Sequence, residues 1–154
     1  MKRTVKLYIA GIALPLAVGA LAGWISRDGM EAQQLLNQPP LSPPQWLFPI
    51  VWATLYILMG IASVRIYDGY AENRERALLL YLVQLSMNFL WSMFFFIFAW
   101  YAFSAAWLLG MIFVIIAMLF QFYLAQKFTA WINVPYLLWC GFALYLNIGI
   151  FMLN

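Results

Sequence analysis

Three tryptophans stand where the interfacial belt of a membrane protein does not account for them. Trp52, Trp91 and Trp139 lie well inside apolar runs, whereas Trp24, Trp46, Trp100, Trp107 and Trp131 fall near the ends of such runs, where amphipathic rings are expected. The inner indoles have companions at helical spacing. Gln84, Asn88 and Trp91 recur at i, i+4 and i+7; Trp139, Ala143 and Asn147 at i, i+4 and i+8; Trp52 and Tyr56 at i and i+4. Each set falls on one helix face. An amide in hydrocarbon costs free energy unless it is paired, so Asn88 and Asn147 are expected to face a bundle interior. Aromatic planes mixed with an amide or a hydroxyl make walls for a flat, largely apolar ligand with a few polar edges. The same residues also suit plain interhelical packing, and spacing alone does not separate the two readings.

Other chemistries are excluded or weakened. The chain has no histidine, which removes histidine-ligated haem and histidine general-base catalysis. A single cysteine, Cys140, cannot build a disulfide framework or a thiolate metal cage. Asp28, Glu31, Asp68, Glu72 and Glu75 all fall in or beside loops, so a proton relay of buried acids is not supported. There is no glycine-rich phosphate motif. The net charge of +3 is small and scattered and gives no argument for nucleic acid. No cofactor is implied.

The elements that must position the indoles are membrane spans. Of 154 residues, 67% are hydrophobic and 8% charged, against about a quarter charged in soluble domains. Crossing a ~30 Å hydrocarbon core takes about 20 apolar residues. Five spans are expected: Leu7–Ile25, Trp46–Tyr67, Arg76–Phe98, Phe103–Gln126 and Asn133–Leu153. They form one all-α integral membrane domain over residues 1–154, with no second core. Lys2, Arg3 and Lys6 precede the first run, which is too long for a signal-peptide core and reads as a retained span.

One connection is long, Arg27 to Gln45. Glu31-Ala32-Gln33-Gln34 allows a short helix; Pro39-Pro40-Leu41-Ser42-Pro43-Pro44 does not, because proline removes donors and biases the preceding residue away from helix. A stiff, lid-like loop is expected. Lys2, Arg3, Lys6, Arg65, Arg74, Arg76 and Lys127 fall at one end of the bundle and only Arg27 at the other. The positive-inside rule then places the N-terminus in the cytoplasm, with the long loop and the C-terminus on the opposite side. Gly11, Pro15, Gly19 and Gly23 form a small-residue stripe on the first span. That face packs closely on a neighbour, either another helix of the chain or a second copy in a homodimer.

Three blocks resemble the translocator protein family, also called the tryptophan-rich sensory protein or peripheral benzodiazepine receptor family. They are Pro43-Pro44-Gln45-Trp46-Leu47-Phe48-Pro49-Ile50-Val51-Trp52-Ala53-Thr54-Leu55-Tyr56; Gln84-Leu85-Ser86-Met87-Asn88-Phe89-Leu90-Trp91 followed by Phe94-Phe95; and Pro135-Tyr136-Leu137-Leu138-Trp139 with Phe142-Ala143 and Leu146-Asn147. The resemblance implies a five-helix bundle with a pocket beneath the first loop. It implies binding of protoporphyrin or a related tetrapyrrole, and of synthetic aromatic ligands such as isoquinoline carboxamides and benzodiazepines. For bacterial members it implies light-dependent breakdown of protoporphyrin. By position, Phe48, Trp52, Tyr56, Asn88, Trp91, Trp139, Phe142, Ala143 and Asn147 would line the pocket, and Trp52 and Trp139 would be the photochemical pair.

One departure concerns sterols. Animal relatives carry a tyrosine just after the asparagine of the last helix and a basic residue soon after. Here Ile148 follows Asn147, and no Lys or Arg occurs beyond Lys127. Leu119–Tyr123–Lys127 and Val64–Tyr70–Arg74 fit only the loose sterol pattern. Three functions stay open: a porphyrin-binding protein that degrades its ligand in light, a carrier for tetrapyrroles or other lipophilic molecules, and a porphyrin-responsive sensor or scaffold.

Overall fold

The computed structural model describes residues 1–154 and contains helices only. They are α1 (Lys2–Gln34), α2 (Leu47–Tyr67), α3 (Arg74–Ser92), α4 (Tyr101–Ala125), α5 (Lys127–Trp131) and α6 (Val134–Leu153). A π-helical turn, Met93–Ile97, continues α3. Five stretches are long and apolar enough to cross a membrane: α1, α2, α3 with its π turn, α4, and α5 with α6. The chain is a multi-pass integral membrane protein.

Two boundaries differ from the sequence expectation, each for a physical reason. The first helix does not end near Ile25 but runs unbroken to Gln34. Polar residues beyond the hydrocarbon do not by themselves stop a helix; it closes at Leu35, whose N–H bonds back to the carbonyl of Ala32, ahead of the Pro-rich run that cannot extend it. At 1.5 Å per residue the helix is about 50 Å long and overshoots the bilayer core. Its projecting part is held by close backbone approach: a Cβ on Gly29 would collide with the carbonyl of Phe96 in the π turn. The second difference lies before the last span. Residues expected in a loop form α5, separated from α4 by the extended residue Gln126 (φ −160°). Thr129 Oγ donates to the Gln126 carbonyl at 2.7 Å and secures that corner.

Prolines mark the starts of α2 and α6. Pro49 is in the first turn of α2 and Pro135 in that of α6, where a missing N–H costs no helical hydrogen bond. Between α3 and α4 the chain reverses at Ala99, which takes a left-handed φ of 53°.

Backbones approach closely along α1–α2, α1–α3, α2–α3, α3–α4 and α4–α6. The small-residue stripe of α1 is used within the chain. Gly11 lies against Val64 and Gly60, and Gly19 against the ring of Tyr56, all on α2. Of the stripe's glycines only Gly23 has open space beside it, so of the two neighbours this face could have, a helix of the same chain occupies it at Gly11 and Gly19. The core is filled by Met59, Met111, Ile115, Met118, Phe122, Tyr136 and Cys140, all fully buried. Large apolar side chains also point outward from every span, as lipid contact requires.

The basic residues gather as expected. Arg3 pairs with Asp68 at 3.8 Å, Arg65 donates to Gln126 at 3.1 Å and lies over the ring of Phe128, and Lys127 lies over Tyr123. Arg27, on the overshooting part of α1, is at the other end with the Pro-rich loop.

Candidate functional site

The site is built where α2, α3 and α6 meet. Asn88 donates from Nδ2 to the hydroxyl of Tyr136 at 2.9 Å, and that hydroxyl donates to Gln84 Oε1 at 2.6 Å. Tyr56 reaches Asn88 Oδ1 at 3.4 Å, and Gln84 Nε2 lies 3.7 Å from the sulfur of Met59. All five residues are buried. A relay of side chains thus ties the three helices together inside hydrocarbon, and every amide end in it is used.

A second network lies on the α3–α4–α6 side. Trp91 Nε1 and Ser104 Oγ both donate to Asn147 Oδ1 at 3.1 Å, and Asn147 Nδ2 donates to the Tyr101 carbonyl at 2.8 Å. Trp91 also stacks on Phe95, with centroids 5.4 Å apart. Ala143, one turn before Asn147, is buried nearby on the same helix.

The remaining residues singled out in the sequence form an aromatic wall between α2 and α6. Trp52 stacks on Tyr56 (5.5 Å, 28°) and meets Tyr136 edge-on at 6.3 Å. Trp139 meets Phe48 edge-on at 5.8 Å and packs on Phe142 at 5.5 Å. The two indoles do not stack on each other. Each crosses to a different ring of the opposite helix, Trp52 to Tyr136 and Phe48 to Trp139. Such ring pairs contribute roughly 0.5–1.5 kcal/mol beyond burial. Beside this wall a groove of about 620 Å³ opens on the flank of the bundle, lined by Ile50, Val51, Thr54, Leu138, Trp139 and Phe142 among others.

One donor in the wall is unmatched. Trp139 Nε1 is buried and has no hydrogen-bond partner, while Trp91 Nε1 and Trp107 Nε1 both have one. A buried N–H without a partner costs roughly 1–3 kcal/mol. An acceptor supplied by a ligand would remove that cost.

The Pro-rich loop is fastened over the loop-side end of α6. Asn37 N donates to Asn154 Oδ1 and Asn154 Nδ2 to the Asn37 carbonyl, both at 3.0 Å. Asn37 Nδ2 reaches the Leu153 carbonyl at 3.3 Å, and Tyr145 donates to the Pro40 carbonyl at 2.6 Å. Pro39 rests on Gly149, where a Cβ would collide with its ring.

Sequence reasoning did not single out Tyr136, Ser104, Tyr145, Asn37 or Asn154. Tyr136 lay inside a quoted block and three residues before Trp139, which was the available signal. The others depend on tertiary contacts between residues 43 to 117 positions apart, and no local pattern marks them.

A family model described as TspO/MBR family matches residues 11–153. The tryptophan-rich sensory protein of Cereibacter sphaeroides is 33% identical over 147 residues, covering 96% of this chain and 89% of its own. The tryptophan-rich protein TspO of Chlorobaculum tepidum is 36% identical, covering 93% and 92%. The human translocator protein is 29% identical, covering 89% and 84%. With the family model and near full-length bacterial relatives in agreement, the chain belongs to the TspO/MBR family.

Proposed function

We propose that this chain binds a porphyrin, protoporphyrin or a related tetrapyrrole, against the aromatic wall between α2 and α6, and that Trp52 and Trp139 take part in its light- and oxygen-dependent breakdown. The observation that carries the reading is the unpaired Nε1 of Trp139 among the rings of Phe48 and Phe142. A flat apolar ligand with one acceptor on its edge, a propionate or carbonyl oxygen, satisfies both the rings and the donor. Synthetic aromatic ligands with a single carbonyl meet the same description.

Indole is electron-rich. An excited macrocycle can take one electron from it, and molecular oxygen is the terminal oxidant. The absence of histidine removes the usual axial ligand for iron and favours the metal-free ring as the photoactive species. Asn88 and Asn147 act here as struts, since each already spends its amide on protein partners. We further propose that the N-terminus is cytoplasmic and that the latched loop lies on the opposite side, from the segregation of Lys and Arg.

Purified protein mixed with protoporphyrin and illuminated in air tests the reading, with absorbance and fluorescence followed in time. Protein-dependent loss of the porphyrin bands, absent in the dark, is expected. Binding without loss would favour the sensor or scaffold, and failure to bind would remove the porphyrin reading. The carrier reading has one observation in its favour, the groove that opens the wall to the side of the bundle.

A further inference from the structure

The ring of helices is closed by backbone approach everywhere except between α2 and α6. Close contacts run α2–α1, α1–α3, α3–α4 and α4–α6, and α2 meets the short α5 at the basic end. Along the rest of their length α2 and α6 are bridged by rings, Phe48 to Trp139 and Trp52 to Tyr136. The groove lies along this seam. We propose that the α2/α6 seam is a lateral entrance, through which a lipophilic ligand dissolved in the bilayer hydrocarbon reaches the indole of Trp139. The inference rests on the aromatic-ligand reading above and adds the phase from which the ligand comes.

Four features support this. First, the rim faces lipid: Ile50 is 57% and Leu138 69% exposed. Second, nothing in the groove repels hydrocarbon. Its one hydroxyl, that of Thr54, donates to the Ile50 carbonyl of its own helix at 2.8 Å, and no charged residue lines it. Third, no hydrogen bond holds the leaf of the gate. Trp139 makes none through Nε1, so rotating its ring breaks its ring contacts with Phe48 and Phe142 but no hydrogen bond; the indole of Trp91, by contrast, is pinned by Asn147. Fourth, the aqueous route is obstructed. Entry beneath the loop would break the hydrogen bonds among Asn37, Asn154, Leu153, Tyr145 and Pro40 and lift Pro39 off Gly149. A volume of about 620 Å³ is within the range of drug-sized ligand sites.

The test uses the whole chain reconstituted in phosphatidylcholine vesicles. Protoporphyrin dimethyl ester, which is uncharged, is supplied from a second vesicle population, and binding is followed by quenching of protein fluorescence. Ile50→Phe and Leu138→Phe narrow the seam at lipid-exposed positions where folding tolerates bulk. Leu109→Phe, on the lipid face of α4 and 46% exposed, is the control. Association and dissociation are expected to slow together by roughly fivefold or more in the seam variants, and to stay at the parent rate in Leu109→Phe and in the loop variant Asn154→Ala. Parent rates in both seam variants, or faster entry in Asn154→Ala, would overturn the lateral route.

A second measurement does not depend on porphyrin. In vesicles of brominated phosphatidylcholine, the Trp139-dependent part of the fluorescence, parent minus Trp139→Phe, is expected to be quenched in the parent and protected in Leu138→Phe. If the parent is not quenched, the seam is closed to hydrocarbon and the proposal fails. Should the ester not bind while quenching occurs as expected, the porphyrin reading fails and the seam stands.

Discussion

The phenol of Tyr145 donates a 2.6 Å hydrogen bond to the carbonyl of Pro40, so the last helix holds the Pro-rich loop from beneath. Tyr145 also stacks on Phe142 at 6.0 Å, and Phe142 packs on Trp139 at 5.5 Å. A ladder of three rings on one face of α6 therefore runs from the groove to the loop. Tyr145→Phe keeps the rings and removes the bond. One hydrogen bond contributes roughly 0.5–1.5 kcal/mol, which is about two- to tenfold in the population of the opened loop. Limited proteolysis at the exposed Leu41 is expected to speed up by that factor in Tyr145→Phe, and further in Tyr145→Phe/Asn154→Ala. A cleavage rate equal to the parent's would show that the latch does not hold the loop.

The orientation is tested at the same loop. Ser42 follows Leu41, the one loop residue with a left-handed φ (67°), and is partly exposed. The native Cys140 is fully buried, so a thiol at Ser42→Cys reports alone. A membrane-impermeant maleimide is expected to label it in intact cells. Labelling only after lysis would reverse the proposed topology.

Asn88 and Asn147 are expected to govern stability before affinity. Asn147→Ala strands the N–H of Trp91, while the hydroxyl of Ser104 keeps its bond to the Tyr101 carbonyl; Asn88→Ala strands the hydroxyl of Tyr56 and removes a donor from Tyr136. Stranding a buried polar group costs roughly 1–3 kcal/mol, although interhelical bonds in bilayers average nearer 0.6 kcal/mol. Thermal unfolding in detergent should fall by several degrees for each variant. An unchanged melting temperature together with weakened porphyrin binding would return both amides to the role of ligand anchors.

Small residues make a separate test of packing. A Cβ at Gly60 would meet backbone atoms of Ile12 and Gly11, which cannot move aside cheaply; one at Gly23 meets nothing. Overpacking typically costs ~1–3 kcal/mol. Gly60→Ala is expected to destabilise the fold measurably, while Gly23→Ala leaves it unchanged or slightly firmer, since alanine favours helix over glycine by about 1 kcal/mol. Equal tolerance at both positions would contradict the α1–α2 approach.

These residues also mark what a linear sequence can convey. Five spans were legible because twenty-residue apolar runs have no soluble alternative. The stripe Gly11/Gly19 announced close packing, but its neighbour, α2, was not readable, because a small residue says how near a partner comes and not which one. The polarity of Arg27–Gln34 suggests a connection holding at most a short helix, and nothing local shows that this stretch continues the first span without a break up to Leu35. Within the site, Trp52, Tyr56, Asn88 and Trp139 were legible from period and rarity. Tyr136 was not, since a tyrosine in an apolar helix looks like filler until Gln84 and Asn88 are found on its hydroxyl. Nor could spacing divide the stripes into struts and wall, because that depends on which amides find protein partners.

The two wall tryptophans differ in one respect that separates binding from photochemistry. Trp139 holds an unmatched N–H, whereas Trp52 is defined by its stack on Tyr56 and its edge on Tyr136. Phenylalanine at either position keeps an aromatic face but has no N–H and is far harder to oxidise. If Trp139 anchors a ligand oxygen, Trp139→Phe should weaken protoporphyrin binding by about two- to tenfold, the equivalent of one hydrogen bond. Trp52→Phe has no such bond to lose and should bind within about twofold of the parent. The light reaction discriminates differently. If indole supplies the electron, illumination at saturating porphyrin should proceed more slowly, or to a different product, in both variants, because saturation cancels any change in affinity. Absorbance loss and mass spectra of the products, measured at porphyrin concentrations well above each variant's dissociation constant, give the comparison. Parent-like rates and products in both variants would assign the chemistry to light and oxygen alone and leave the tryptophans as walls. A rate lost only in Trp52→Phe would place the donor at the indole stacked on Tyr56 and leave Trp139 as the anchor.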